Sequence, residues 1–152
     1  MIQHGKIWIA GLGNALMRDD SIGVVIATML MENPPLGTYV SEVGTASMSF
    51  ADIISDAEKI IVIDAVKSGK SPGTITVFNP GDMQFTRDYI SAHNLGFFDA
   101  VRLFRPDNPP AIKILGVEPG KIEYGLELTE PLKAAIPKIM KKIVELAGQM
   151  LK

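Results

Sequence analysis

The sequence predicts a single α/β domain, residues 1–152, built on a mostly parallel twisted sheet of about five strands with helices on both faces. Three observations predict it. Short apolar runs alternate with stretches of helical period along the whole chain. Two of those runs, at residues 6–11 and 59–64, are continuously apolar rather than alternating, as strands buried on both faces are. Finally, 152 residues with 47% hydrophobic and 21% charged side chains suit one globular core with no repeat, linker or low-complexity tract.

The elements follow in order. Residues 6–11 form the first strand, and residues 21–32 a helix with Ile22, Val25, Ile26, Met29 and Leu30 on one face. Asn33-Pro34-Pro35-Leu36-Gly37 breaks the chain before a strand at 38–42 and a helix at 47–56, where Ser49 and Asp52 have capping-box spacing. The strand at 59–64 precedes a Pro72-Gly73 turn and a strand at 74–78. Residues 79–92 read as a polar surface loop in which Met83 and Phe85 are loop anchors or partner contacts. A helix at 94–104, a strand at 111–117 and a helix from 129 to the end complete the chain. Leu132, Ile136, Ile139, Met140, Ile143 and Leu146 stripe the last helix, and Pro137 within it is expected to kink it or delay its regular start.

Composition excludes several classes of function. A formal net charge of -2 leaves no electrostatic footprint for nucleic acid or an anionic membrane. The absence of cysteine removes disulfides, thiolate metal sites and a cysteine nucleophile, and fits a cytoplasmic location. The opening apolar run is too short to span a membrane.

In open sheets of this type ligands bind beyond the carboxyl ends of the strands, which directs attention to three connections. The first is Gly11-Leu12-Gly13-Asn14-Ala15-Leu16-Met17-Arg18-Asp19-Asp20. Its glycine pair invites a dinucleotide-binding reading, with Glu42 at the end of the second strand as the ribose-binding acid. Against this, Leu16 replaces the third glycine, and Asp19 and Asp20 would repel a pyrophosphate. One of the two acids is expected to cap the following helix, which leaves the other to face the crevice. Asp64 closes the third strand, and His93 stands directly ahead of a helix whose N-terminus disfavours the imidazolium. The second histidine, His4, lies in the N-terminal tail. Asp20, Asp64 and His93 together offer two carboxylates and one imidazole with open positions, which suits a divalent ion such as nickel, zinc or manganese. A closed structural zinc site would want a fourth protein ligand.

The segment from Gly11 to Gly23 resembles the opening motif of the hydrogenase maturation proteases. Ile61-Val62-Ile63-Asp64-Ala65-Val66 is similar to that family's second acidic strand end, and Ser91-Ala92-His93-Asn94-Leu95-Gly96 to its histidine segment. Gly116-Val117-Glu118-Pro119 and the C-terminal helix follow in the family's order. The resemblance implies a monomeric three-layer α/β/α endopeptidase that trims the C-terminal extension from the large-subunit precursor of a nickel-iron hydrogenase. It implies catalytic and metal-binding roles for Asp20, Asp64 and His93, no organic cofactor, and nickel already inserted in the precursor as the ion they meet. Two departures stand out. Relatives often carry Asp-Gly-Gly-Thr where this chain has Glu42-Val43-Gly44-Thr45, which implies altered substrate docking at that turn, and some place glutamate at Asp20. The rival readings are a nucleotide-binding α/β module and a non-catalytic nickel-binding accessory protein.

Overall fold

The computed structural model describes residues 6–81 and 92–152, with the side chains of 92–95 outside that description. His4, Met83 and Phe85 therefore lie outside the described residues. Five strands, β1 (Ile7–Leu12), β2 (Thr38–Gly44), β3 (Lys59–Ala65), β4 (Ile75–Phe78) and β5 (Ala111–Val117), form one sheet in the order β2-β1-β3-β5-β4. The pairs β1–β2, β1–β3 and β3–β5 are parallel, and β4 runs antiparallel to β5 at one edge. Ile9 stands between Val40 and Ile61, so β1 and β3 occupy the middle of the sheet. Both are buried along nearly their whole length, which is why they read as unbroken apolar runs.

The helices α1 (Ile22–Glu32), α2 (Ala51–Asp56), α3 (Ala92–Phe104) and α4 (Glu130–Met150) make the outer layers. Ile7, Ile9, Ile61, Ile63, Leu115 and Val117 face one way and pack on Ile22 and Ile26 of α1 and Leu132, Ile139 and Ile143 of α4. Trp8, Ala10, Ile60, Val62 and Ile114 face the other way and pack on Ile54 of α2 and Phe97, Ala100 and Val101 of α3. This is the three-layer α/β/α arrangement that the alternation of elements implies.

Two local expectations are corrected. Neither Ser49 nor any other side chain caps the helix region after β2; a short 3-10 turn, Ser47–Phe50, leads into α2 instead. Pro137 does not delay α4, which runs unbroken from Glu130. Pro137 faces solvent, so water can satisfy the Lys133 carbonyl that loses its helical partner. Val43 is buried among the residues under α2 and α3.

Candidate active site at the carboxyl edge of the sheet

The connection from β1 to α1 folds tightly because its glycines let backbone meet backbone. A Cβ on Gly23 would fall 2.2 Å from the carbonyl oxygens of both Ile63 and Leu12. One on Gly13, which sits at φ 132°, would fall 2.0 Å from the carbonyl oxygen of Asp20. The first turn of α1 is thereby pressed onto the carboxyl ends of β1 and β3. Close helix packing, which a missing side chain at Leu16 cannot serve, is served by Gly23 instead, while Leu16 is half exposed.

Asp19 and Asp20 lie in a 3-10 turn, Arg18–Ser21, and both are buried. Neither caps α1: the residue at its N-cap is Ser21, and no side chain bonds there. Asp19 turns to the chain ahead of α4. Its carboxylate accepts hydrogen bonds from the backbone N–H groups of Gly120 (2.7 Å), Lys121 (2.9 Å) and Thr129 (2.7 Å), and from the Thr129 hydroxyl (2.6 Å). Burial by itself would raise the Asp19 pKa, but the hydrogen bonds from Thr129, Lys121 and Gly120 outweigh it and leave the pKa below the ordinary carboxylate value. Asp19 is therefore a structural anion, satisfied on both oxygens. Asp20 accepts a hydrogen bond from the Asn14 N–H at 3.1 Å, while its own N–H donates to the Met17 carbonyl. The glycine-rich loop thus turns one of its N–H groups onto a carboxylate of its own chain, where a phosphate-binding loop would hold it open.

Asp64, fully buried, is the penultimate residue of β3. Its Oδ1 accepts from the Ala65 N–H at 2.8 Å, and its cross-strand neighbour on β5 is Gly116. Strand alternation puts Asp64 on the same face as Val62 and Val66, which is the α2/α3 side. Since Gly23 touches Ile63, the residue just before Asp64, the turn bearing Asp20 and the end of β3 share one edge of the sheet.

The backbone of His93 is the second residue of α3; its side chain lies outside the described residues. The direction of α3 follows from its far end. There the Arg105 guanidinium donates to the carbonyls of Ile54 and Ala57, which precede β3. Thirteen helical residues rise about 20 Å, close to the length of a seven-residue strand, so α3 starts back at the carboxyl edge. The backbone of His93 is thereby returned to the edge and the face that hold Asp64. Among the described residues no three acidic or histidine side chains form a metal-holding group.

Glu118, in the segment after β5, was not singled out as a site residue by sequence. Buried, it accepts from the Ser68 N–H (2.8 Å), the Ser68 hydroxyl (2.5 Å) and the Lys70 N–H (3.3 Å), and so clips the chain after β3 to the end of β5. Its place beside a strand end was the available signal. Glu42, the supposed ribose acid, accepts from the Thr28 hydroxyl of α1 at 3.1 Å. A groove of 480 Å³ between the start of β4 and α4, lined by Pro72, Ile75, Pro131, Ala135 and Lys138 among others, includes neither Asp20 nor Asp64.

Residues 24–146 match the family model described as HycI, hydrogenase maturation protease. The hydrogenase 2 maturation protease of Escherichia coli strain K12 is 30% identical over 146 residues, which are 91% of this chain and 88% of that protein. Among solved structures, the hydrogenase maturating endopeptidase HybD from Escherichia coli superposes with a TM-score of 0.83 at 26% identity, covering 95% of this chain and 93% of that one. The NiFe hydrogenase maturation protease HybD from Thermococcus kodakarensis gives 0.81 at 30% identity, covering 93% and 99%.

Proposed function

This chain belongs to the hydrogenase maturation protease family, an endopeptidase family, and on that premise we propose that it removes the C-terminal extension of a nickel-iron hydrogenase large-subunit precursor once nickel has been inserted. Asp20, Asp64 and His93 are the residues that meet the substrate. Nickel arrives with the precursor: the two carboxylates supply hard oxygen ligands and the imidazole a nitrogen, a donor set suited to a divalent first-row ion with positions left for its own ligands. An ion held this way fixes the first peptide bond of the extension and polarises its carbonyl or an attacking water.

The observation that carries the reading is the contact of Gly23 with Ile63 and Leu12, which sets the turn bearing Asp20 on the carboxyl end of the strand that closes on Asp64. Both acids are buried there, Asp20 accepting from the Asn14 N–H and Asp64 from the Ala65 N–H.

The test is incubation with nickel-loaded precursor and mass spectrometry of the products, with wild type beside Asp20→Asn. Loss of a C-terminal fragment with wild type alone supports the reading. A cognate precursor left intact by wild type would replace it with a non-catalytic, nickel-binding accessory role. Single replacements at Asp64 and His93 then separate roles: a residue that only reads nickel loses precursor binding and cleavage together, whereas a general base loses cleavage and keeps binding.

A further inference from the structure

The chain from Lys121 to Thr129 has no regular structure, yet it is held to the Asp20 turn at many points. The N–H groups of Arg18 and Gly125 donate to the carbonyls of Gly125 (2.9 Å) and Leu16 (2.8 Å), a parallel bridge of one residue pair, Met17 and Gly125. The Asp19 N–H donates to the Lys121 carbonyl at 3.1 Å, and the Asp19 carboxylate ties down both ends of the segment. Arg18 occupies the left-handed region at φ 44°, a strained setting for a side chain with a Cβ. From there its guanidinium donates to the Glu127 carbonyl and the Glu123 carboxylate, both at 3.0 Å.

What this anchoring holds in place is apolar and open to water. Tyr124 is 82% exposed, Leu126 77% and Leu16 50%, and the parallel bridge of Met17 with Gly125 sets Leu16 opposite Tyr124, with Leu126 two residues further along the segment. A fixed apolar patch costs little ordering entropy when something covers it, and patches of this kind mark interaction sites.

We infer that Leu16, Tyr124 and Leu126 form a docking rim for an apolar stretch of the precursor polypeptide next to its cleaved bond. The inference rests on the proposed function. The occupant follows from continuity and from area. Leu16 lies four residues before Asp20, on the connection that the Arg18–Gly125 and Asp19–Lys121 hydrogen bonds fix to the segment, so the rim and the proposed site are carried by one connection at the carboxyl edge of the sheet. The three side chains expose roughly 400 Å², about half of what each partner buries in a stable dimer, which suits a substrate that must leave again and not a second copy of this chain.

The experiment compares wild type with Tyr124→Ser/Leu126→Ser and with Leu103→Ser, an exposed leucine at the far end of α3, on nickel-loaded precursor. Initial rates are read across precursor concentration, and direct binding is read by surface plasmon resonance. The rim predicts a KM and a Kd for the double variant raised by about tenfold, with kcat within about twofold, an unchanged melting temperature and no effect of Leu103→Ser. Equal KM and Kd in all three proteins would overturn it. So would a wild-type dimer in sedimentation that the double variant disperses, because the rim would then be a self-interface. If wild type binds precursor without shortening it, the proposed function fails while the Kd comparison still decides the rim.

Discussion

The two sides of the sheet are built from different materials. Against α1 and α4 the core is aliphatic, an array of isoleucine, leucine, valine and alanine without one aromatic ring among the described residues. Against α2 and α3 it is organised around Trp8, which stacks on Phe50 at 5.9 Å and meets Phe97 at 6.0 Å, while Phe97 in turn meets Phe98 edge-on. Helix length accounts for the difference. The 21 residues of α4 and the glycine contacts of α1 cover one face with backbone held close, so small side chains fill the gap. On the other side α2 has only six residues, and large rings must fill the space that a longer helix would have covered. The difference matters for chemistry because the proposed site straddles both: Asp20 leads into α1, whereas Asp64 faces the side of α3. Holding the two acids in register therefore requires both kinds of packing.

The largest expected effect comes from breaking the close-packed side. Gly23→Ala places a methyl carbon where two carbonyl oxygens stand at 2.2 Å, and because both belong to central strands neither can move cheaply. A loss of about 3 kcal/mol is expected from overpacking, read as a lower denaturant midpoint in urea. A stability loss of only about a few tenths of a kcal/mol would mean that α1 is not pinned to the sheet. The aromatic side tolerates added volume better, since a ring can rotate where a backbone carbonyl cannot.

Asp19 sharpens the comparison through pH, since its carboxylate joins the start of α1 to the residue that precedes α4 on the aliphatic side. Asp19→Asn keeps the shape but turns an amide donor toward donors, so a loss of about 2 kcal/mol at neutral pH is expected. The folded-state pKa is lowered, so the stability that Asp19 contributes is fully present above the unfolded carboxylate pKa and is lost as pH falls through the lower folded value. Urea titrations at pH 7 and in the acid range below about pH 4 should show the gap between wild type and Asp19→Asn narrowing as the acid range is entered. A gap that stays constant across that range would mean that folding does not lower the Asp19 pKa.

These residues also show what the sequence could and could not reveal. The strands and helices were legible because burial on both faces leaves unbroken apolar runs, and Ala111–Val117 falls on the expected boundaries. The sheet edge that carries Asp20 and Asp64 was legible from the rule that ligands gather at strand carboxyl ends. The division of labour between Asp19 and Asp20 was only half legible. Two adjacent acids implied two fates, but the structural one was expected at the N-terminus of α1 and is found a hundred residues away, bonded to Gly120, Lys121 and Thr129. No local spacing encodes such a contact. Nor does local pattern distinguish Val43 as core from Val43 as surface, because β2 borders the sheet and its burial is uneven.

The smallest effect tests the aromatic side alone. The chain has a single tryptophan, and it lies among the rings under α2 and α3. Its fluorescence therefore reports that side directly, while circular dichroism reports all the helices. Phe50→Leu removes the stacked ring at 5.9 Å but keeps an apolar side chain, so only the ring–ring preference and some area are lost, about 1 kcal/mol. The variant should shift Trp8 emission at once in the native state, because a ring in contact is replaced by a branched chain that leaves part of the indole face uncovered. Its unfolding should nevertheless trace the same midpoint by fluorescence and by circular dichroism, since α1, α3 and α4 pack on opposite faces of the same two central strands. Separate midpoints would show the aromatic side melting first. The sheet edge would then lose the start of α3, and with it the backbone of His93, while the turn that carries Asp20 still stood.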